Sequence, residues 1–258
     1  MSTTLVLLHG LASNSTRWWH FAANSQLPGL KLLRPDLRGH AGSSDRGRID
    51  MQVWCDDLVR LLDAEGCGRA VIGGHCLGAN LALHFAARYP QRTAGLVLIE
   101  PMPPQALAGR MRRILVFRRL LLVLAAAVRM LNALGIRRRG FEPLDLEQWD
   151  RALAKGEVDL ARYASPLSDL KLAPIAAYLQ SLAAVGAPLP PLAGIRAPAL
   201  VLLSRNSTMT DLARTRAILQ QLPDVEFKVL EAEHWIPTEQ PDAMRAAIED
   251  WLAARFRR

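Results

Sequence analysis

The chain has 258 residues, of which half are hydrophobic and 22% are charged. This balance is typical of a globular protein and argues against a disordered or fibrous one. The formal net charge is +8, but nine arginines lie between Pro101 and Phe141, a segment without lysine, aspartate or glutamate. Because these nine charges exceed the net charge of the whole chain, the rest of the sequence is close to neutral and a generally basic protein is excluded.

The cysteines and the start of the sequence indicate a reducing compartment. Cys55, Cys67 and Cys76 have neither the spacing of a disulfide framework nor that of a metal site. The first residues lack the basic region and cleavage site of a secretory signal. We therefore expect a cytoplasmic protein with free thiols and no bound metal. The sequence also lacks a phosphate-binding glycine loop and a dinucleotide fingerprint, so we expect no cofactor.

In chain order, short apolar runs alternate with longer amphipathic stretches, which is the pattern of parallel β-α-β units. The predicted strands are Thr4–Leu8, Lys31–Arg34, Ala70–Gly73, Gly95–Ile99, Ala199–Leu203 and Glu226–Leu230. The predicted helices are Met51–Glu65, Leu77–Tyr89, Thr210–Leu222 and Pro241–Phe256.

The alternation fails between Glu100 and Ile195, where proline and arginine are frequent. We therefore predict an α/β core of residues 1–100 and 196–258, with a helical cap of residues 101–195 inserted between two strands. Residues 118–134 are predicted to form one cap helix, with its arginines on one side and a broad leucine face opposite. The apolar run is too short to cross a membrane, which takes about 20 residues.

Two roles are open for this helix. We expect its leucine face to cover an apolar pocket, and the alternative is peripheral docking on an anionic membrane through the arginines. We expect no nucleic-acid partner, because the arginines lack the interleaved aromatic side chains on which bases stack.

The segment from Gly74 to Gly78, Gly-His-Cys-Leu-Gly, follows a predicted strand and opens a predicted helix. This is the context of a nucleophile elbow, with Cys76 where serine is usual. The flanking glycines permit a sharp turn, and a position at a helix N-terminus favours a thiolate.

Three further segments are similar to motifs of one known family and occur in the same chain order. Leu7–Leu11 is similar to its His-Gly oxyanion loop, Asp36–Ser43 to its Asp-x-Arg-Gly-His-x-Gly-x-Ser turn, and Glu233–Trp235 to its late histidine loop. With the elbow, they make the sequence resemble the α/β-hydrolase superfamily. The resemblance implies a mostly parallel, doubly wound α/β sheet with an inserted helical cap. Superfamily members with a cysteine elbow include dienelactone hydrolases and polyhydroxyalkanoate synthases.

The resemblance also implies roles for individual residues. Cys76 is the expected nucleophile and His234 the general base. The backbone N–H groups of Leu11 and Leu77 are expected to form the oxyanion hole.

The third member of the triad departs from the family pattern. After the penultimate strand the family usually has Gly-x-x-Asp, but here Ser207 occupies the place of the aspartate. Some members carry the acid one strand earlier, which makes Glu100 the leading candidate. Asn206 is the first alternative, in a Cys-His-Asn arrangement. Asp211 is the second, although an acid in the first turn of a helix explains it as well.

These features predict an enzyme that cleaves a carboxylic ester, lactone or thioester through an acyl group on Cys76. One alternative is transfer of the S-acyl group to an acceptor other than water. A second is a non-catalytic scaffold that binds a small ligand, suggested by the missing aspartate. The leucine-rich cap indicates a small-molecule substrate with an apolar acyl group.

Overall fold

The computed structural model describes residues 3–43, 47–136, 144–155, 157, 169 and 173–256. Within them, six strands form one sheet in the order β2-β1-β3-β4-β5-β6, and every neighbouring pair is parallel. The strands are β1 Thr3–Leu8, β2 Leu30–Leu33, β3 Ala70–His75, β4 Thr93–Ile99, β5 Ala199–Ser204 and β6 Val225–Leu230. All six predicted strands are confirmed, with ends that differ by one or two residues.

The helices of the described residues lie on both faces of this sheet. They are α1 Trp19–Asn24, α2 Met51–Ala64, α3 Leu77–Arg88, α4 Gly109–Leu115, α5 Arg118–Ala133, α6 Leu146–Ala154, α7 Ile175–Val185, α8 Leu212–Leu219, α9 Ile236–Glu239 and α10 Pro241–Phe256. Helices α4 to α7 lie between β4 and β5 in the chain, and the division into a core and a cap stays a prediction.

The helix predicted at Thr210–Leu222 is shorter than expected. The carboxylate of Asp211 accepts a hydrogen bond from the backbone N–H of Arg214 at 2.8 Å, so Asp211 caps the helix instead of starting it. At the other end, tight turn bonds replace the helical ones, as in the 3.0 Å bond from the Leu222 N–H to the Leu219 carbonyl.

Alternating side chains of the strands fill two separate cores. In β1, Val6 and Leu8 belong to the core that includes α2 and α3, whereas Leu5 and Leu7 belong to the core that includes α1 and α10. This alternation is the period of two that a strand buried on both faces requires. It fixes the register of the sheet, and with it the positions of the strand ends.

The chain reverses its direction of travel across the sheet at β1. It moves from β1 outward to β2, then returns past β1 to β3. The carboxyl ends of β1 and β3 therefore flank the topological switch point, which is where ligands bind in open α/β sheets.

Helix α5 confirms the predicted single helix, but its orientation differs from the expectation. Leu121 and Ala125 face inward, and Leu121 packs with Tyr178 and Leu182 of α7. Arg118 lies on this inward side, where its Nε donates a hydrogen bond to the Ala183 carbonyl at 2.8 Å. The expectation that the leucine face covers a pocket is therefore wrong, because that face points outward.

Among the described residues, no helix combines the length and the apolar character that crossing a membrane requires.

Because Gly78 has no side chain, the backbone of α3 can pack directly against the backbone at the end of β1. A Cβ atom at this position would lie 2.4 Å from the Leu8 carbonyl oxygen and 2.7 Å from that of His9. We predict that Gly78→Ala lowers the free energy of unfolding by about 1–3 kcal/mol, since the helix must move off the strand. Urea unfolding followed by circular dichroism measures this.

Gly68→Ala is the matched control. A Cβ there would have no atom within 4 Å, so we expect a change within about 0.5 kcal/mol. Equal stability of the two variants would contradict the close approach of α3 to β1.

Candidate active site

Cys76 lies between β3 and α3 in a strained turn. Its φ of 56° and ψ of −115° are rare for a residue with a side chain. A Cβ on Gly74 would lie 2.5 Å from the carbonyl carbon of Gly78, so only glycine allows the chain to fold back this tightly. The turn places the Cys76 side chain in the wall of a cavity.

His234 lies in the loop after β6, where its imidazole is buried beside Cys76 and Glu100. Its Nδ1–H donates a hydrogen bond to Glu100 Oε2 at 3.2 Å. On the other side, the Cys76 side chain interacts with the imidazole and raises its pKa. Because Nδ1 is used by Glu100, Nε2 is the nitrogen left to accept a proton from the thiol.

Glu100 is fixed in place at the end of β4. It adopts a left-handed φ of 46°, and only 2% of its surface is exposed. Its Oε1 accepts a hydrogen bond from the Ser204 N–H at 2.5 Å, at the end of the neighbouring β5. A carboxylate at such a site is stable only with strong partners, which here are the Ser204 N–H and His234.

The electrostatics of the site favour a charged imidazole. Burial alone lowers the pKa of His234, but the hydrogen bonds to Cys76 and Glu100 outweigh it and raise this pKa from 6.5 to about 10. The positive charge on His234 is therefore stabilised from both sides.

His75 also belongs to the site, although its sequence context did not predict this. Its Nε2–H donates a hydrogen bond to the carbonyl oxygen of His234 at 2.9 Å, and the two rings lie 5.0 Å apart. Burial, followed by the nearby His234, lowers the pKa of His75, so that it stays neutral. The position next to Cys76 was the only sequence feature that pointed to it.

Met102 is a second such residue. Its Sδ lies 3.0 Å from Cys76 Sγ. Asn80 holds the Met102 backbone through two 2.9 Å hydrogen bonds, one from its amide to the Met102 carbonyl and one from the Met102 N–H to its side-chain oxygen. The wall opposite the thiol is therefore rigid as well as apolar.

The loop after β1 is held against Cys76. A Cβ on Gly10 would lie 3.3 Å from the Cys76 Cβ, and Leu11 lines the cavity beside it. His9 fixes this loop because its Nδ1–H donates to the Gly10 carbonyl at 2.8 Å and its Nε2 accepts the Leu37 N–H at 2.9 Å. Burial, followed by His40, lowers the pKa of His9 to about 3, which keeps Nε2 free to accept that bond.

Leu77 is the first residue of α3, so its backbone N–H has no acceptor within the helix. It lies directly after Cys76, while Leu11 follows β1, the neighbouring strand. Their assignment to an oxyanion hole stays a prediction.

Of the three candidates for the third residue of the triad, only Glu100 is hydrogen-bonded to His234. The side chains of Asn206 and Asp211 are exposed. Asp211 caps α8, and the Asn206 backbone N–H donates to the Ala232 carbonyl at 3.1 Å.

Cys76 and His234 open into a cavity of about 720 Å³. Its walls are mostly apolar, and they include Met102, Ile114 and Leu182. Polar side chains also line it, among them a pair in which the Tyr178 hydroxyl donates to Asp169 Oδ2 at 3.2 Å. Burial outweighs this bond and raises the pKa of Asp169 to about 6.

Among the described residues, no group of three or more histidine, cysteine, aspartate or glutamate side chains is arranged to hold a metal ion.

Comparisons with known proteins agree with this architecture. "Lipase LipV" of Mycobacterium tuberculosis is 35% identical over 97 residues, which are 38% of this chain and 36% of that protein. A pimeloyl-[acyl-carrier protein] methyl ester esterase of Aromatoleum aromaticum is 39% identical over 100 residues, 38% of this chain and 37% of that protein. The chain thus matches about a third of the length of each of these relatives.

A solved structure of a thermophilic esterase from Thermogutta terrifontis superimposes with a TM-score of 0.71 at 23% identity, over 98% of this chain and 90% of that one. This likeness concerns the fold. Residues 3–241 match the family described as alpha/beta hydrolase fold. The chain therefore belongs to the α/β-hydrolase family.

Proposed function

We propose that this protein is a hydrolase of carboxylic esters, lactones or thioesters that forms an acyl-enzyme on Cys76. One observation carries the proposal: the buried line from Glu100 through His234 to Cys76 ends in the wall of an apolar cavity. The relatives named as a lipase and a methyl ester esterase support ester chemistry. The cysteine nucleophile and action on thioesters are the parts that are specific to this proposal.

In the first half of the reaction, the thiol proton of Cys76 passes to His234 Nε2 before the attack, and the thiolate Sγ then attacks the carbonyl carbon of the substrate. Glu100 stabilises the resulting imidazolium through Nδ1–H. The N–H groups of Leu11 and Leu77 bind the oxyanion of the tetrahedral intermediate. When this intermediate collapses, the C–O or C–S bond to the leaving group breaks and His234 donates its proton to the leaving atom.

In the second half, a water molecule attacks the S-acyl carbonyl while His234 Nε2 accepts a proton from it. Collapse of the second tetrahedral intermediate releases the carboxylic acid and restores the thiol. The apolar walls formed by residues such as Met102, Ile114 and Leu182 suit an apolar acyl group. A site that aligns an orienting acid, a base and a nucleophile in this order supports catalysis over ligand binding alone.

We predict a burst of nitrophenol from a short-chain p-nitrophenyl ester, with a matching acyl-sized mass gain, in the wild type and not in Cys76→Ala. Rapid mixing with absorbance detection and intact-protein mass spectrometry of acid-quenched samples measure the two. Cys67→Ala is the control, because Cys67 lies outside the cavity. Equal turnover by the wild type and Cys76→Ala would overturn the proposal.

We also predict that Glu100→Gln lowers kcat/KM by about 100-fold or more, whereas Asn206→Ala and Asp211→Ala stay within about three-fold. An amide at position 100 cannot balance the positive charge that develops on His234. Initial rates with the same ester measure this. A larger loss in Asn206→Ala than in Glu100→Gln would assign the orienting role to Asn206.

The pH dependence of stability separates charge stabilisation from packing at Glu100. Because the pKa of His234 is raised in the folded protein, its contribution to stability is fully present below pH 6.5 and is lost as the pH rises toward about 10. In a Cys76→Ala background, where no thiol exchanges a proton with the imidazole, the free energy of unfolding between pH 6.5 and 8.5 should fall more steeply with Glu100 in place than with Glu100→Gln. Parallel curves would show that Glu100 does not raise the pKa of His234.

A further inference from the structure

Helix α5 and the turn before it expose apolar side chains that a water-soluble surface does not usually carry. We define the apolar face of α5 as Leu120, Val123, Leu124, Met130 and Leu131, together with Leu134 directly after the helix; their exposed fractions run from 45% to 75%. In the preceding turn, Val116 is 75% exposed and Phe117 61%. A patch of this kind marks a surface that meets another apolar phase.

The orientation of α5 is the reverse of that of an ordinary surface helix. Arg118 is only partly exposed and is hydrogen-bonded to the Ala183 carbonyl on the α7 side, and Arg129 is also partly exposed. Leu121 and Ala125 form the face that packs on the protein, and Arg118 lies beside them. The leucines that would normally pack inward therefore remain outside.

The charged residues of α4 and α5 are all of one sign. Arg112 and Arg113 of α4 and Arg119 of α5 are all exposed. No acidic residue occurs between Pro101 and Phe141, so this segment offers the arginines no partner of its own. Exposed apolar side chains with flanking arginines are the composition of a helix that lies in the plane of an anionic membrane.

A second copy of the chain fits this surface less well. A two-fold dimer places the same patch on both sides of its interface. The arginines of the two copies would then face one another without acids from this segment to balance them. An anionic bilayer provides both an apolar phase and the opposite charge.

We propose that the apolar face of α5, together with Arg112, Arg113 and Arg119, docks the protein on an anionic lipid bilayer, with the helix lying in the interface. Helix α4 connects this surface to the cavity, because its Met111 and Ile114 line the cavity and its Arg112 and Arg113 face solvent. Docking thus places the cavity beside the membrane. The proposal is independent of the chemistry at Cys76.

Co-sedimentation of the full chain with vesicles tests the proposal. We expect the wild type to bind vesicles of phosphatidylcholine with phosphatidylglycerol at least ten-fold more tightly than pure phosphatidylcholine vesicles, and to lose affinity as salt is added. Leu120→Gln/Val123→Gln/Leu131→Gln should weaken binding more than ten-fold through loss of the apolar contact. Arg112→Gln/Arg113→Gln/Arg119→Gln should weaken it about a hundred-fold.

The control is Arg196→Gln/Arg205→Gln/Arg214→Gln, which removes the same charge from exposed arginines elsewhere on the surface. It should retain binding within about three-fold. Circular dichroism and thermal unfolding establish that each variant is folded.

Three results would overturn the proposal. The first is that the wild type does not bind anionic vesicles. The second is that the control loses as much affinity as the variant at the patch, which would mean that only the net charge matters. The third is light scattering that shows a dimer which the leucine and valine substitutions convert to a monomer, since a second copy would then cover the face.

Discussion

The buried hydrogen bond between Glu100 and His234 is the contact on which the site depends. It joins the end of β4 to the loop after β6, 134 residues further along the chain. An isolated carboxylate or imidazolium would be costly at this depth, and each makes the other tolerable. The bond also selects the nitrogen of His234 that faces Cys76, so one interaction sets both the charge and the orientation of the base.

The sheet makes this contact possible. Because all six strands are parallel, their carboxyl ends share one edge, and Cys76, Glu100 and His234 all follow strands at that edge. The Ser204 N–H at the end of β5 holds the second oxygen of Glu100. The strain at Cys76 and Glu100, which both have positive φ, is maintained by the sheet around them.

Much of this arrangement was predictable from local patterns. The period of two in the strands indicated their positions, and the Gly-x-Cys-x-Gly turn indicated the place of Cys76. His75 and Met102 were not predictable in the same way, because their roles come from contacts across the fold, such as the bond from His75 to the His234 carbonyl. A histidine or a methionine in an apolar context has no sequence feature that distinguishes such a role from simple packing.

The orientation of α5 shows a second limit of prediction from sequence. The pattern of apolar residues predicted a helix and an apolar face correctly, but a periodic pattern does not determine which face packs on the protein. Leu121 and Ala125 fit against α7, and the broader leucine face is left outside. The pattern therefore allowed either face of the helix to pack inward, and the tertiary contacts determine which one does.

The central claim is that His234 activates Cys76, and competitive alkylation by iodoacetamide at neutral pH tests it most directly. Accessibility alone favours Cys67, which is partly exposed, over the buried Cys76, while burial raises the pKa of Cys55 to about 12 and makes it unreactive. Peptide mapping should show Cys76 alkylated first, and slowed at least ten-fold in His234→Ala. Alkylation of Cys67 ahead of Cys76, with no effect of His234→Ala, would contradict the account.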